Sequence, residues 1–269
     1  MFGFKKSLGQ IILVTGFLSV VIFSACGNGG QKTTKEANQP NMLSETEKAD
    51  GWILLFDGQS FEGWHGLGKE EFPSDLWKIE DGSIKRVSKS ELPPVQEGQP
   101  EPGGDIITNN TWQDFELTFE WKISSGSNSG VKYNVSEELS TSRGSGYSAL
   151  GWEYQVLDDA NHEGDLNGNQ LSGALYDMFA PVVKVVKPAG EWNTAKIAFI
   201  GKHGEHWLNG EKVVEYDMDT PRFDKAFDAS KFAKIPGFRE KKNGHIVLQD
   251  HGGAVWYRNI KIKPVVSEQ

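Results

Sequence analysis

The sequence predicts an all-β protein in which two antiparallel sheets pack face to face as a jelly-roll sandwich, with at most one short helix. Many short segments alternate apolar and polar residues, which is the two-residue period of a half-buried strand. The dipeptides Asp81-Gly82 and Asn209-Gly210 each separate two such segments and are typical of type I′ hairpin turns. Helical spacing is confined to residues 221–233. A closed barrel is the structural alternative to the sandwich.

The strands of the first half are marked by alternation or by turn residues at their ends. The clearest is 115–123, whose apolar residues alternate with Glu, Thr and Lys, so one face belongs to the core and the other to solvent. Residues 91–104, rich in Pro and Gly, and the polar stretch 136–149 are expected to be loops. The expected strands are 52–56, 61–64, 77–80, 83–87, 105–108, 115–123 and 131–135.

The second half continues in the same style and contains the one expected helix. Phe223, Phe227 and Phe232 follow Pro221 at roughly helical spacing, and Pro is favoured in the first turn of a helix. The expected strands are 152–157, 182–186, 192–200, 205–208, 212–216, 245–249 and 255–262. Residues 50–265 are therefore expected to form a single β-sandwich domain.

The N-terminus is expected to be a targeting segment outside the fold. Lys5 and Lys6 precede an apolar run that ends in Ser-Ala-Cys26, the pattern of a signal peptide over residues 1–25. A cysteine directly after such a segment resembles the lipidation site of a bacterial lipoprotein; the alternative is an ordinary secretory signal with an incidental cysteine. Residues 26–49 are expected to be a flexible tether. We therefore expect a lipid-anchored protein of the cell envelope, periplasmic or surface-exposed.

Charge and cysteine content exclude several classes of function. The formal net charge is −9, and removal of two lysines with the leader makes the mature chain more acidic. An anionic surface repels phosphate backbones and anionic lipid headgroups, so nucleic acid is not an expected partner and the membrane is contacted only through the lipid anchor. Cys26 is the only cysteine, so no disulfide can form within the chain.

The segment 151–165 carries the first group of candidate site residues. Glu153 and Gln155 share one face of the strand, opposite the aromatic stripe that includes Tyr154. Asp158 and His162 follow in a turn-rich loop, and an imidazole there could act as a general base near neutral pH. The alternative is a solvated sheet face followed by an exposed loop histidine.

Other candidates come from three further strands. Lys132 points away from the core side of its strand, and Gln249 and His251 share the face opposite Leu248. Those two could bind a sugar or a ketone oxygen, or could merely stabilise the following Gly-Gly turn. Trp207, beside the Asn-Gly turn, is the candidate platform for sugar stacking.

No metal ligands are assigned, although a divalent cation is not excluded by the residues present. Asp158, Asp159, Glu163 and Asp165 offer oxygen atoms but lack the ligand spacing of an EF-hand loop. His203 and His206 are three apart on an extended strand, so their rings face opposite sides and do not form a metal pair.

Several segments together resemble the 3-keto-disaccharide hydrolase family, whose members adopt the concanavalin A-like lectin/glucanase sandwich. The similarity runs in order over about residues 51–264. Its segments are Leu55-Phe56-Asp57-Gly58, Phe61-Glu62-Gly63-Trp64, Asn128-Ser129-Gly130-Val131, Glu153-Tyr154-Gln155-Val156-Leu157-Asp158, Trp207-Leu208-Asn209-Gly210, Leu248-Gln249-Asp250-His251-Gly252 and Arg258-Asn259-Ile260. Asn134 departs from the pattern, because many members have Arg there, so sugar contacts are not carried over from that strand.

The resemblance implies cleavage of glycosides whose sugar is already oxidised at C3, and hence an oxidoreductase that supplies such sugars. The ketone acidifies the C2 proton, so a base can remove it, the C1 oxygen leaves by β-elimination and water then adds. We expect His162 to act as the base, Glu153 to orient it or polarise the substrate, and the other candidates to line a shallow polar site. The alternatives are a non-catalytic carbohydrate-binding module and a conventional glycosidase that pairs Glu153 with another carboxylate.

Overall fold

The computed structural model describes residues 39–94, 104–142 and 148–265. All of them fall in one compact unit that begins at Asn38. The predicted signal peptide, Cys26 and the tether as far as residue 38 lie outside the described residues. Within the described ranges, helices are too short or too polar to cross a bilayer.

The described residues form thirteen strands and three short α-helices. The strands are β1 (Ile53–Leu54), β2 (Trp64–Gly66), β3 (Trp77–Glu80), β4 (Ser83–Arg86), β5 (Ile106–Thr108), β6 (Phe115–Ile123), β7 (Asn128–Val135), β8 (Trp152–Leu157), β9 (Asn193–Ile200), β10 (His203–Leu208), β11 (Glu211–Asp217), β12 (His245–Leu248) and β13 (Val255–Pro264). The helices are α1 (Glu45–Ala49), α2 (Glu137–Thr141) and α3 (Pro221–Ala229), with 3-10 helices at Lys89–Glu91, Gly168–Gln170 and Lys231–Lys234.

The strands form two sheets with antiparallel pairing throughout. An eight-stranded sheet has the order β11-β10-β9-β6-β13-β4-β3, with β1 also paired to β13. A five-stranded sheet has the order β2-β5-β12-β7-β8. The predicted all-β, two-sheet antiparallel sandwich is confirmed.

An aromatic core joins the two sheets. Tyr133 on β7 lies edge-on to Phe199 on β9, with ring centroids 5.3 Å apart. Its hydroxyl makes hydrogen bonds of 2.8 Å to His206 Nε2 and to the Tyr216 hydroxyl, both on the opposite sheet. Burial lowers the pKa of His206 to about 4, so this imidazole is a neutral core residue. The polar contacts at the centre of the core therefore fix how the sheets face each other.

The hairpin predictions are confirmed by the backbone angles at their turns. Asp81 and Gly82 have φ of 48° and 67°, and Asn209 and Gly210 have φ of 50° and 91°. Two consecutive positive φ values define a type I′ turn, which matches the twist of the flanking strands.

The strand predicted at 182–186 is wrong. Val182 is 79% exposed and Val183 is also exposed. Within the described residues, only one backbone hydrogen bond pairs this segment with a strand, from Val182 N to Val213 O (2.8 Å). Pro181 and Pro188 flank the segment, and proline cannot donate to a ladder, so the β-branched residues lie in a surface loop.

The helix predicted at 221–233 is confirmed in part, because α3 ends at Ala229 and a 3-10 helix follows after Ser230. The estimate of at most one short helix is too low. Helices α1 and α2 have five residues each, too few to show a helical period, and each begins at a capping serine, Ser44 or Ser136.

The folded domain also begins earlier than predicted, inside the segment expected to be a flexible tether. Asn41 is 6% exposed. Its side-chain Nδ2 donates to Gly82 O at 2.7 Å, and its side-chain Oδ1 accepts from Asn259 N at 2.8 Å. Glu47 on α1 makes a 2.7 Å ion pair with Lys261 on β13. Residues 41–49 are therefore part of the sandwich, because polar pairs attach them to the sheet.

Candidate functional site

The outer face of the five-stranded sheet carries the polar candidates. Directly opposed residues of neighbouring strands share a face, and the pairing places His65, Ile107, Val247, Lys132 and Glu153 in one row across all five strands. The neighbouring row on this face contains Gln249, Gly130 and Gln155. The aromatic residues of β8 point the other way, into the core. The predicted separation of the two faces of β8 is confirmed.

Glu153 is a buried carboxylate at the edge of this face. The residue is 5% exposed, and its Oε2 lies 3.9 Å from Lys132 Nζ. Lys132 Nζ also donates to Ala149 O at 3.1 Å. Burial raises the pKa of Glu153 above its ordinary value, although the charges of Lys132 and Lys231 oppose that shift. The result is a carboxylate that is more basic than one in water.

The absence of a side chain at Gly130 leaves space for the Glu153 carboxylate. Gly130 on β7 lies opposite Gln155, and the Glu153 side chain fills the space that a Cβ at residue 130 would need. Gln249 N donates to Gly130 O at 2.9 Å, so the backbone continues as regular sheet beneath the carboxylate. Glycine at 130 therefore positions Glu153 over the sheet.

Two side-chain amides flank Glu153 with unused acceptors. Gln155 Nε2 donates to Asn128 Oδ1 at 3.0 Å, which fixes the orientation of the amide. Among the described residues, the Oε1 atoms of Gln155 and Gln249 are buried and have no hydrogen-bond partner. Buried acceptors of this kind normally find a donor, and sugar hydroxyls are suitable donors.

His251 lies in the turn after β12, and this turn is firmly anchored. Asp250 Oδ1 accepts from Arg86 Nε at 2.6 Å and from Gly252 N at 2.9 Å. Asp250 N in turn donates to Asp105 Oδ1 at 2.8 Å. His251 is exposed, and the residues on either side of it are held by hydrogen bonds.

A second lysine reaches the same site from outside the sheet. Lys231 begins the 3-10 helix after α3, and its Nζ lies 4.2 Å from the ring centroid of Tyr176. Tyr176 N donates to Glu153 O at 3.0 Å, and Lys231 N donates to Asp177 Oδ2 at 2.7 Å. These bonds attach the 3-10 helix to the strand that carries Glu153.

Asp158 and His162 lie in the loop after β8. Asp158 accepts from Gly126 N and from Asn161 Nδ2, both at 2.9 Å. Burial alone would raise the pKa of Asp158, but these hydrogen bonds lower it below its ordinary value, and the carboxylate holds the loop. His162 makes no hydrogen bond to Glu153 or Gln155, and its buried Nδ1 has no partner among the described residues. The expected contact between His162 and Glu153 is thus not formed.

Asp159, like Asp158, is hydrogen-bonded within the protein. Asp159 Oδ1 accepts from both the backbone and the hydroxyl of Ser172, each at 2.9 Å. Within the described ranges, ligand atoms of His, Cys, Asp and Glu converge only at His203, Glu205 and Glu215, on the far sheet. Lys212 Nζ already lies 3.1 Å from Glu205 and 2.8 Å from Glu215 there.

Sequence comparison identifies the family. A model of the 3-keto-alpha-glucoside-1,2-lyase-like domain matches residues 51–263. The chain is 41% identical over 251 residues to a 3-keto-disaccharide hydrolase of Bacteroides thetaiotaomicron, covering 86% of this chain and 84% of the relative. The chain belongs to the 3-keto-alpha-glucoside-1,2-lyase-like family.

Two solved structures support the membership. One, from Parabacteroides distasonis and provisionally named a glycosyl hydrolase, has a TM-score of 0.74 and 30% identity, covering 85% of this chain and all of that one (100%). Another from the same organism, also provisionally named a glycosyl hydrolase, has a TM-score of 0.55 and 28% identity, covering 75% of this chain and 99% of that one.

Trp207, one of the predicted site residues of this family member, does not lie on the same face as Glu153. Trp207 is on β10, and its side chain lines a groove of about 410 Å³ on the outer face of the eight-stranded sheet. Its neighbour His206 points into the core, and Trp207 Nε1 donates to Glu205 Oε2 at 2.8 Å. Trp207 and Glu153 therefore lie on opposite outer faces of the sandwich, which corrects the expectation that both line one site.

Sequence reasoning missed three residues of the site in this 3-keto-glucoside lyase-like chain. Lys231 and Tyr176 come from segments without a strand pattern, and the sequence marks Asp105 only as the start of a strand. The left-handed backbone at Asp177 (φ 62°), which turns Tyr176 toward β8, has no sequence signature beyond the tolerance of Asp for that conformation. These residues meet Glu153 only through tertiary contacts.

Proposed function

We propose that the protein hydrolyses 3-keto-disaccharides at the outer face of the five-stranded sheet, by elimination followed by hydration. The observation that carries this proposal is the Glu153 carboxylate, buried beside Lys132 with a raised pKa. Family membership supports the substrate class, because the relative from Bacteroides thetaiotaomicron is named a 3-keto-disaccharide hydrolase.

In the first step, a carboxylate removes the proton at C2, whose acidity comes from the neighbouring C3 ketone. The C–H electrons form a C2=C3 double bond, and the ketone oxygen becomes an enolate. When the ketone re-forms, the electrons shift to C1=C2 and the C1–O bond breaks, so the departing oxygen takes that electron pair and a proton. Water then adds its hydroxyl to C1 and its proton to C2, which completes a net hydrolysis.

We assign the proton transfers to Glu153. A general base works best when its pKa lies near the operating pH, and burial moves this carboxyl in that direction. Lys132 keeps the carboxylate in position, and the free amide oxygens of Gln155 and Gln249 would accept hydrogen bonds from sugar hydroxyls. We assign the exposed His251, two residues after Gln249, to substrate contact.

His162 remains a predicted base that no contact with Glu153 supports. The 158–172 loop could bring it to a bound sugar, since its Nδ1 is unpaired among the described residues. Glu153 is the stronger candidate because its burial and neighbours already favour proton transfer.

The two alternatives account for fewer of the observations. A carboxylate-pair glycosidase needs a second free carboxyl group, but Asp105 on the same face accepts from Asp250 N at 2.8 Å and Ala149 N at 3.2 Å. A non-catalytic sugar-binding module has no use for a buried carboxylate of raised pKa, which costs folding free energy.

Turnover assays with a plain disaccharide and with its C3-oxidised form test the proposal. We expect cleavage of the oxidised sugar and exchange of its C2 proton for deuterium in D₂O, with no cleavage of the plain disaccharide. Cleavage of the unoxidised sugar would favour the glycosidase, and saturable binding of either sugar without turnover would favour the binding module.

We also propose that the mature protein is attached to the cell envelope through a lipid on Cys26, and that an oxidoreductase of the envelope supplies its 3-keto substrates. The leader sequence and the substrate chemistry support this arrangement. Metabolic labelling with a radioactive fatty acid should mark the wild-type chain and leave Cys26→Ser unlabelled. A label that persists in the variant would contradict the anchor.

A further inference from the structure

The ammonium group of Lys231, unlike that of Lys132, has no hydrogen bond or ion pair within the described residues. Its contacts are the ring faces of Tyr176 at 4.2 Å and Phe232 at 5.2 Å. Lys132, by contrast, is occupied by Ala149 O and the Glu153 carboxylate. Lys231 therefore has N–H donors free for a bound molecule.

Lys231 is held at the site by two hydrogen bonds, of which the second reaches β8. The 3-10 helix is fixed through Lys231 N and Asp177 Oδ2, and Tyr176 N is bonded to Glu153 O. The Tyr176 ring lies beneath the ammonium group and limits where the long side chain can extend. Lys231 is exposed to solvent, and without these contacts its side chain would sample many rotamers and lose more entropy on binding.

The charges around the ammonium group agree with that location. The Lys231 ammonium group lies over the ring of Tyr176, and Tyr176 N is bonded to Glu153 O, so the lysine stands beside the strand that carries Glu153. Desolvation and the charge of Lys132 lower the pKa of Lys231, whereas the charges of Glu153 and Asp177 raise it. A donor in such surroundings stabilises a nearby anion more strongly than one in bulk water.

We propose that Lys231 is a catalytic residue that donates a hydrogen bond to the C3 oxygen of the substrate and stabilises the enolate formed when Glu153 removes the C2 proton. This inference rests on the proposed elimination. C2 and the C3 oxygen are neighbours in the sugar, so base and donor must reach adjacent atoms, and Glu153 and Lys231 approach from the strand and from the 3-10 helix. The ammonium group stays protonated throughout, and the electrons move only within the sugar.

The test measures C2 deuterium exchange of a methyl glucoside oxidised at C3, by proton NMR in D₂O, together with kcat and KM for a 3-keto-disaccharide. Lys231→Met should lower the exchange rate and kcat by about 10²- to 10³-fold, the usual effect of removing one oxyanion donor. Lys231→Arg should recover part of the loss. The matched control is Lys234→Met, at an exposed lysine of the same 3-10 helix.

Three results would overturn the assignment. Exchange by Lys231→Met at the wild-type rate would show that no enolate contact is lost. A rise in KM with unchanged kcat and exchange would make Lys231 a binding residue only. If wild-type protein neither exchanges nor cleaves the oxidised sugar, the proposed function fails first and the role of Lys231 fails with it. Melting temperatures of the variants exclude unfolding as the cause of any loss.

Discussion

The carboxylate of Glu153 occupies the space that a side chain at Gly130 would need. The two residues are diagonal neighbours on adjacent strands, and the glycine lets the carboxylate lie flat over the sheet between Lys132 and the amide of Gln155. Because Gly130 has ordinary strand pairing, its role is to leave this space empty and not to form a turn.

We therefore expect Gly130→Ala to lower C2 exchange at least tenfold, because the new methyl group displaces the carboxylate from its position. Gly168→Ala is the matched control, since a Cβ there meets only an ordinary contact with Ala180. Equal rates in Gly130→Ala and wild type, with both folded, would contradict the assignment of Glu153.

Glu153→Gln should lower kcat by about 10²- to 10⁴-fold, the usual contribution of a general base. Because the pKa of Glu153 is raised, the acidic limb of the kcat/KM profile should lie above pH 4.5, the ordinary value for this carboxyl. The measurement is a pH profile of wild-type and variant enzyme, and an acidic limb below that pH would argue against Glu153 as the base.

The same raised pKa predicts a pH dependence of stability. The folded state holds this proton more tightly than the unfolded state, so the stabilisation is present below the unfolded pKa and is lost as pH rises through the folded pKa. The melting temperature of the wild type, relative to that of Glu153→Gln, should therefore fall as pH rises from about 4.5. Thermal denaturation across this range measures the difference; a pH-independent gap would mean that the pKa is not raised.

A comparison of two histidines decides which imidazole takes part. His251→Ala should lower turnover, because the imidazole lies in an anchored turn two residues after Gln249, whose free amide oxygen is assigned to the substrate. His162→Ala should retain most of the activity, since no hydrogen bond among the described residues links it to Glu153. A loss of activity in His162→Ala alone would instead identify His162 as the base.

The buried pair Arg86–Asp250 should contribute to both stability and site geometry. The two side chains are 3% and 6% exposed, and loss of one partner of a buried pair costs about 3–5 kcal/mol. Asp250→Asn should lower the free energy of unfolding in urea and weaken turnover through His251. The control is Lys202→Met, which breaks the exposed Lys202–Asp219 pair and should change stability by about 1 kcal/mol or less. Equal effects of the two variants would contradict this difference.

The local pattern was sufficient for most strands because alternation and turn residues are properties of neighbouring positions. It failed at Val182–Val186, where β-branched residues between prolines found no strand to pair with. It also failed at residues 41–49, because the pairing of Asn41 with Asn259 joins positions far apart in the chain. Short polar segments give no local signal for such contacts.

The sequence by itself determined the two-sheet fold, the I′ hairpins and which residues of β8 face away from the core, since each follows from a period of two or from a turn dipeptide. Only the tertiary structure decided which of those outward residues meet. Strand order brought Lys132, Gln249 and Glu153 together, and contacts across the β8 edge added Lys231. Trp207 lies on the opposite outer face of the sandwich because β10 belongs to the eight-stranded sheet. Alternation distinguishes core-facing from outward-facing residues of a strand, but which sheet the strand joins depends on long-range pairing.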